Sequence, residues 1–187
     1  MTDEQLVALT QQGNIRAFNS LSARWESSIY RFALRNLGNT EDARDVCQEA
    51  LLKAYTNIQR LREGSKFKSW IHHIALNLCR DRFRGAGAKA ETRSFEEQGL
   101  EEARFVIEGD RPQSHEKSGL LRAIEETLSR LPSEQRDAIL LKEYHGFTSE
   151  EIGEITGVPA ATVRSRIFYG LRSTREMLRK RGFAPAT

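Results

Sequence analysis

Nowhere along the 187 residues do enough apolar side chains follow one another to cross a bilayer. The start, Met1-Thr2-Asp3-Glu4-Gln5, lacks a basic stretch followed by an apolar run, so the expected location is cytoplasmic, with no membrane insertion. Cysteine is nearly missing: Cys47 and Cys79 stand alone, with no CxxC or Cys/His ligand spacing, which speaks against zinc. Two readings of the pair stay open, reduced packed thiols or a redox-sensitive couple. Also missing are a phosphate-binding glycine loop, a metal-ligand cluster and a nucleophile with a base beside it. No catalytic residue, metal or cofactor is therefore expected, and the chain does not read as an enzyme. No segment alternates convincingly at period two, which leaves no expected strand.

What is present repeats every three to four residues and predicts an all-α fold of two small helical domains joined by a flexible linker. Hydrophobic residues make up 39% and charged residues 29%, a balance suited to modest cores under heavily charged surfaces. The net charge of +3 permits a polyanionic partner without requiring one, so the position of the charges has to decide. Thr2 with Gln5 predicts a capping box opening a short helix, which Gly13-Asn14 ends. A longer helix with the apolar face Ile15, Phe18, Leu21, Trp25, Ile29, Phe32 and Leu37 follows, closed by Gly38-Asn39. Thr40, with Glu41 and Asp42 at the positive end, starts a helix whose inner stripe is Ala43, Val46, Cys47, Ala50, Leu51, Ala54, Tyr55 and Ile58. After the turn at Arg62 to Lys66, the residues Phe67, Trp70, Ile71, Ile74, Ala75 and Leu78 predict the last helix of this half. It runs out in Arg84-Gly85-Ala86-Gly87.

Residues 1–85 thus form one expected domain, 86–117 an acidic flexible linker and 118–183 a second domain. In the second, Leu120, Leu121, Ile124 and Leu128 mark one helix, and Leu131-Pro132-Ser133 a break. Ala138, Ile139, Leu141 and Tyr144 mark a further helix before the turn at His145-Gly146. The run Thr148-Ser149-Glu150-Glu151-Ile152-Gly153-Glu154-Ile155-Thr156-Gly157-Val158-Pro159-Ala160-Ala161-Thr162-Val163-Arg164-Ser165-Arg166-Ile167 reads as a helix-turn-helix. Thr148 and Glu151 cap its first helix, Gly153 makes room where the second helix crosses, and Gly157 supplies a left-handed turn residue. Ile152, Ile155, Val158, Val163 and Ile167 are the expected core between the two. Val163, Ile167, Leu171 and Leu178 are the expected inner face of the second helix, with Arg164, Ser165, Phe168 and Arg172 outward. Early residues of such a helix enter the major groove, where arginine pairs with guanine. The competing reading is that Arg164, Arg166, Arg172, Arg175, Arg179, Lys180 and Arg181 only solvate a terminal helix.

In the first half, Asp42, Asp45, Gln48 and Glu49 share a helix face opposite the apolar stripe, which suits docking or simple solvation. Along Lys66-Phe67-Lys68-Ser69-Trp70-Ile71-His72-His73-Ile74-Ala75-Leu76-Asn77-Leu78-Cys79-Arg80-Asp81-Arg82-Phe83-Arg84, basic and amide groups surround aromatics, a composition that suits unstacked single-stranded bases. Phe67 and Trp70 fit a core role equally well. His72 and His73, adjacent on a helix, point apart and make a poor metal pair.

Taken in order, these segments resemble a bacterial sigma factor of the extracytoplasmic-function group, whose members keep the second and fourth sigma domains. Asp45-Val46-Cys47-Gln48-Glu49 is similar to the family's core-binding helix, Trp70-Ile71 through Asn77 to Arg84 to its promoter-melting helix, and Leu131-Pro132 through Arg175 to its promoter-reading domain. The resemblance implies a factor that binds RNA polymerase core and directs promoter-specific initiation. It implies that Asp45, Gln48 and Glu49 meet the clamp helices of the largest subunit, that the flap of the second subunit is a further contact, and that an anti-sigma protein is a partner. The loop from Ile58 to Lys66 would hold a flipped base of the minus-ten element, with Leu61 where the family often has an aromatic. Lys66, Trp70, Asn77, Arg80 and Asp81 would serve minus-ten recognition and melting. Lys142, Ser149, Arg164, Ser165, Arg166, Phe168 and Arg172 would serve the minus-thirty-five element, although Tyr169 stands where many members carry arginine. A regulator that binds duplex DNA unaided is the alternative, and it leaves Asp45 and Glu49 without a role.

Overall fold

A computed structural model describes residues 1–87 and 115–183, with side-chain detail for 1–84 and 119–183. The linker expected over 86–117 lies almost wholly outside the described residues. The chain divides into two units, Met1–Arg93 and Ser94–Thr187, and all regular structure among the described residues is helical.

The first unit holds α1 (Asp3–Gln11), α2 (Ile15–Leu37), α3 (Thr40–Asn57) and α4 (Phe67–Gly87), with short 3-10 turns at Ile58–Arg60 and Gly64–Lys66. The caps explain the boundaries. Thr2 and Gln5 form the reciprocal box, the Gln5 amide donating to Thr2 Oγ1 at 3.3 Å and the Thr2 amide to Gln5 Oε1 at 2.9 Å. Asn14 Oδ1 accepts from the amides of Arg16 and Ala17, and Gly38 ends α2 at φ +68°. At the start of α3 the cap is the Asn39 side chain, one residue before Thr40, bonded to the Asp42 amide at 2.9 Å. Leu21, Ile29, Phe32 and Ala33 of α2 pack with Ala43, Val46 and Ala50 of α3 and with Phe67, Ile71, Ala75 and Leu76 of α4, all fully buried. Small residues on the α3 seam let these helices lie close.

Several expectations about this core change. Ile15, on the first turn of α2, is 57% exposed. Tyr55 is 40% exposed and lays its ring against Phe18 with centroids 4.9 Å apart. Leu51 is half-buried rather than central. The polar ring of His72 is instead fully buried, edge-on to Trp25 at 6.0 Å and Phe32 at 5.6 Å. Cys47 and Cys79 are buried free thiols. Burial, reinforced by Glu26, pushes the Cys47 thiol up to about 11, and it donates to the Glu26 carbonyl at 3.4 Å. A proton held this firmly fits the packed-thiol reading of Cys47.

The second unit holds α5 (His115–Ser129), α6 (Ser133–Ile139), which continues as one widened π turn over Leu140–Tyr144, then α7 (Ser149–Thr156) and α8 (Ala160–Lys180). Its core comprises Leu128, Leu131, Ala138, Ile139, Leu140, Leu141, Phe147, Ile152, Ile155 and Val163. Here too the rotational setting departs from expectation. Leu120 and Leu121 are 39% and 45% exposed, and α5 turns Ala123, Thr127 and Leu128 inward. Leu171 is 44% exposed, and α8 buries Gly170 and Thr174 in its place. The cause is a close crossing: a Cβ on Gly170 would stand 2.6 Å from Ile139 Cδ1 and 3.2 Å from Gln135 Cβ. A larger residue at 170 would have to push the Ile139 and Gln135 side chains aside, so glycine lets α8 lie close against α6. At the far end of α8, Arg181 donates to Glu126 Oε2 at 2.6 Å, and this bond holds the Glu126 carboxyl below its usual range with help from Arg122.

Candidate nucleic-acid interface

The helix-turn-helix rests on three local devices. Thr148 and Glu151 complete a capping box, with the Thr148 amide donating to Glu151 Oε2 at 2.7 Å and the Glu151 amide to Thr148 Oγ1 at 3.2 Å. Gly157 ends α7 at φ +74°, where a side chain is penalised. A Cβ on Gly153 would stand 2.7 Å from the Val158 carbonyl, so the turn into α8 folds directly over it. Val163, Ile152 and Ile155 are buried, whereas Val158 and Ile167 are half-buried at the edge of this core.

Arg164, Ser165, Phe168 and Arg172 all face solvent on α8. Phe168 is 62% exposed and its ring meets that of Tyr169, itself 56% exposed, edge-on at 5.3 Å. Arg164 is held by Glu150 at 3.3 Å and Arg172 by Glu176 at 3.4 Å, both as exposed pairs that solvent readily exchanges. Arg166 is half-buried and turns partly away from this face. Lys142, within the π turn, is exposed, and Ser149, at the start of α7, is half-buried.

In the first unit, α3 carries Asp45 and, one helical turn on, Gln48 and Glu49, the first two exposed and Glu49 half-buried. Leu52, which the sequence reading passed over, is 62% exposed, three residues beyond Glu49 on the same side. The Leu51-Leu52 pair held the signal, because a helix cannot turn two successive residues into one seam.

The Ile58 to Lys66 loop is anchored to α1. Gln11 Nε2 donates to the Ile58 carbonyl at 2.9 Å and to the Leu61 carbonyl at 2.8 Å, and Gln59 returns a bond to the Gln11 carbonyl at 2.7 Å. Leu61 is 7% exposed and forms the floor of the loop, while Lys66 is at its surface. Phe67 is fully buried, as its core reading required, and Trp70 is half-buried against it at 6.0 Å. Along α4, Asn77 is exposed and bonded to His73 at 3.0 Å, Arg80 is half-buried, and Asp81 is exposed and paired with Arg84. Gln11 escaped the sequence reading because its partners lie about fifty residues away and leave no local trace.

The second unit thus carries a helix-turn-helix with a basic outer face on α8, and the first a four-helix bundle with an acidic, partly apolar face on α3 and basic and aromatic residues along α4. The Sigma-70 region 2 family matches residues 21–89, and the Sigma-70, region 4 family matches residues 121–173. Over 174 residues the chain is 33% identical to the RNA polymerase sigma-H factor of Pseudomonas aeruginosa, covering 89% of this chain and 88% of that protein. It is 32% identical over 185 residues to the ECF RNA polymerase sigma factor SigW of Bacillus subtilis, covering 96% and 98%. It is 34% identical over 172 residues to the ECF sigma-E factor of Escherichia coli K12, covering 90% of each. Among solved structures, CnrH in complex with the cytosolic domain of CnrY shares the fold with a TM-score of 0.70 at 24% identity, covering 95% and 97% of the two chains. The sigma factor RpoE from Bartonella quintana, solved with the anti-sigma factor NepR, shares it at 0.69 and 22%, covering 87% and 96%.

The chain belongs to the extracytoplasmic-function group of RNA polymerase sigma factors and serves promoter-specific transcription initiation. That family consists of transcription regulators. Among the described residues no helix is long and apolar enough to cross a membrane, and no group of three or more His, Cys, Asp and Glu could hold a metal ion.

Proposed function

We propose that residues 1–85 form the block that docks on polymerase core and opens the minus-ten element, and residues 118–183 the block that reads the minus-thirty-five element. The observation that carries this reading is the α3 face. Asp45 and Gln48 stand exposed and Glu49 half-buried beside an uncovered Leu52, an acidic strip with an apolar anchor for which a regulator binding duplex DNA unaided has no use. Its partner is a basic helical surface, the clamp helices of the largest polymerase subunit, with the flap of the second subunit as a contact of the C-terminal block. The factor works in the cytoplasm and performs no chemistry itself. Phosphodiester synthesis belongs to the polymerase. CnrH and RpoE were solved with CnrY and with an anti-sigma factor, which supports a partner of that class for this chain as well.

On the DNA side, Arg164, Ser165, Phe168 and Arg172 contact the minus-thirty-five element, with Lys142, Ser149 and Arg166 at its margins. In the first block, Lys66, Trp70, Asn77, Arg80 and Asp81 line the melting surface, and the buried Leu61 shapes the loop from beneath.

The deciding experiment adds the full chain to sigma-free core and assays run-off transcripts on a candidate promoter. Transcripts are expected with the natural chain and a large reduction with Glu49→Lys, which places an ammonium in the acidic strip. If Glu49→Lys competes for core as well as the natural chain does, Glu49 leaves the docking face. For the second block, Arg164→Ala is expected to weaken binding of promoter DNA by about 1–3 kcal/mol while core binding is preserved. Equal losses on promoter and random DNA would instead make Arg164 a phosphate contact.

A further inference from the structure

The α3 acids are not free in the isolated chain. From α4, forty residues away from Asp42, the guanidinium of Arg82 reaches across to three of them: Nη1 lies 3.4 Å from Asp42 Oδ1 and 3.5 Å from Asp45 Oδ2, and Nη2 lies 3.8 Å from Glu49 Oε2. Glu49 also holds Lys53 one turn along, at 2.9 Å. Two features of the Arg82 contact matter. It is long for a charge-assisted bond, and one guanidinium is divided among three carboxylates. It is also well exposed, with about a third of the Arg82 side chain in solvent, where such pairs contribute little and exchange easily.

Arg82 follows Asp81 directly on α4, about 100° around the helix, at the border between the buried stripe of Leu78 and Cys79 and the surface that carries Asp81 and Arg84. A long, flexible side chain rooted at that border reaches either the α3 acids or a polyanion lying along α4. We propose that Arg82 is an exchange residue joining the two surfaces of the first unit: its guanidinium occupies the docking acids in the free chain, is displaced when a cationic surface of the polymerase takes those acids, and then turns to a phosphate of the melted strand. Docking thus adds one positive charge to the DNA face at the moment DNA becomes relevant. The inference rests on the docking reading of Asp45 and Glu49.

The test uses the full chain in two assays, competition with labelled natural chain for sigma-free core, and binding of a random single-stranded oligonucleotide by the assembled holoenzyme across a salt series. Arg82→Ala is expected to bind core about three- to fivefold more tightly, since an internal competitor of exposed-pair strength has gone. Its holoenzyme is expected to bind the oligonucleotide more weakly, with a log–log salt slope shallower by about 0.7, the loss of one phosphate contact. Arg82→Lys, which keeps the charge, restores most of the slope. Core binding that is weakened or unchanged by Arg82→Ala overturns the exchange, because Arg82 would then only order the acids. Tighter core binding with an unaltered salt slope overturns it too, leaving a shield with no second partner. Glu49→Gln in the same competition separates the two ideas: if it leaves core affinity unmoved, the docking reading itself fails, whereas a loss there beside a weakened Arg82→Ala discards the exchange alone.

Discussion

Lowering the pH from 6.5 to about 4 is expected to remove about 3 kcal/mol of stability from the N-terminal unit through His72 alone. The ring is fully buried between Trp25 and Phe32, and desolvation is the main reason its pKa falls to about 4. Its Nδ1 lies 2.8 Å from the Lys68 carbonyl, which can only accept, so that nitrogen carries the proton of a neutral imidazole. In the unfolded chain the ring takes up a second proton near pH 6.5. The folded chain resists until about pH 4, and across that window the unfolded state binds more protons. Stability is therefore complete above 6.5 and drains away as the pH falls toward 4. Both tryptophans of the chain, Trp25 and Trp70, belong to this unit, so urea unfolding followed by tryptophan fluorescence reports it without a signal from the other. His72→Phe should lose much less stability over the same pH range. An identical acid loss in both proteins would assign the effect to carboxylates elsewhere.

Gly153→Ala should destabilise the C-terminal unit by about 1–3 kcal/mol through overpacking. The sign is informative, since glycine to alanine within a helix ordinarily stabilises by up to about 1 kcal/mol. At Gly153 a new methyl carbon meets the Val158 carbonyl at 2.7 Å and the Ala160 amide nitrogen at 3.5 Å, both backbone atoms of the turn that sets α8 against α7. Neither atom can swing aside as the tip of a side chain does, so α8 has to shift and carry Arg164 and Phe168 with it. Gly119, on α5, offers the control: nothing stands within 4 Å of a Cβ there, and Gly119→Ala should be neutral or stabilising. Thermal unfolding by circular dichroism, with hydrogen exchange at α7 and α8, measures both variants. A Gly153→Ala protein as stable as Gly119→Ala would show that the turn has slack.

The candidate surfaces differ in how openly they were written. Arg164, Ser165, Phe168 and Arg172 were legible as an outward face because they follow a capped helix and a glycine turn, features complete within about twenty-five residues. Asp45, Gln48 and Glu49 were legible as a face for the same reason. Arg82 and Gln11 were not. Their partners are 33 to 50 positions distant, and no pattern in the neighbourhood of either residue marks it as a tie between elements.

Among the described residues, the presence of each helix and the identity of the turn motif followed from local chemistry alone: a capping hydroxyl, amide or glycine acts within one turn, and a 3.6-residue period needs no partner to be seen. Which edge of each apolar stripe is covered was another matter. Leu120, Leu121 and Leu171 turned outward while Thr127, Gly170 and Thr174 turned inward, and His72 went to the centre of a core that its polarity seemed to forbid. Periodicity locates an apolar face only to within a residue or so on either side. The last fraction of a turn is set by how closely a neighbouring helix can approach, and that distance depends on side chains far away along the chain.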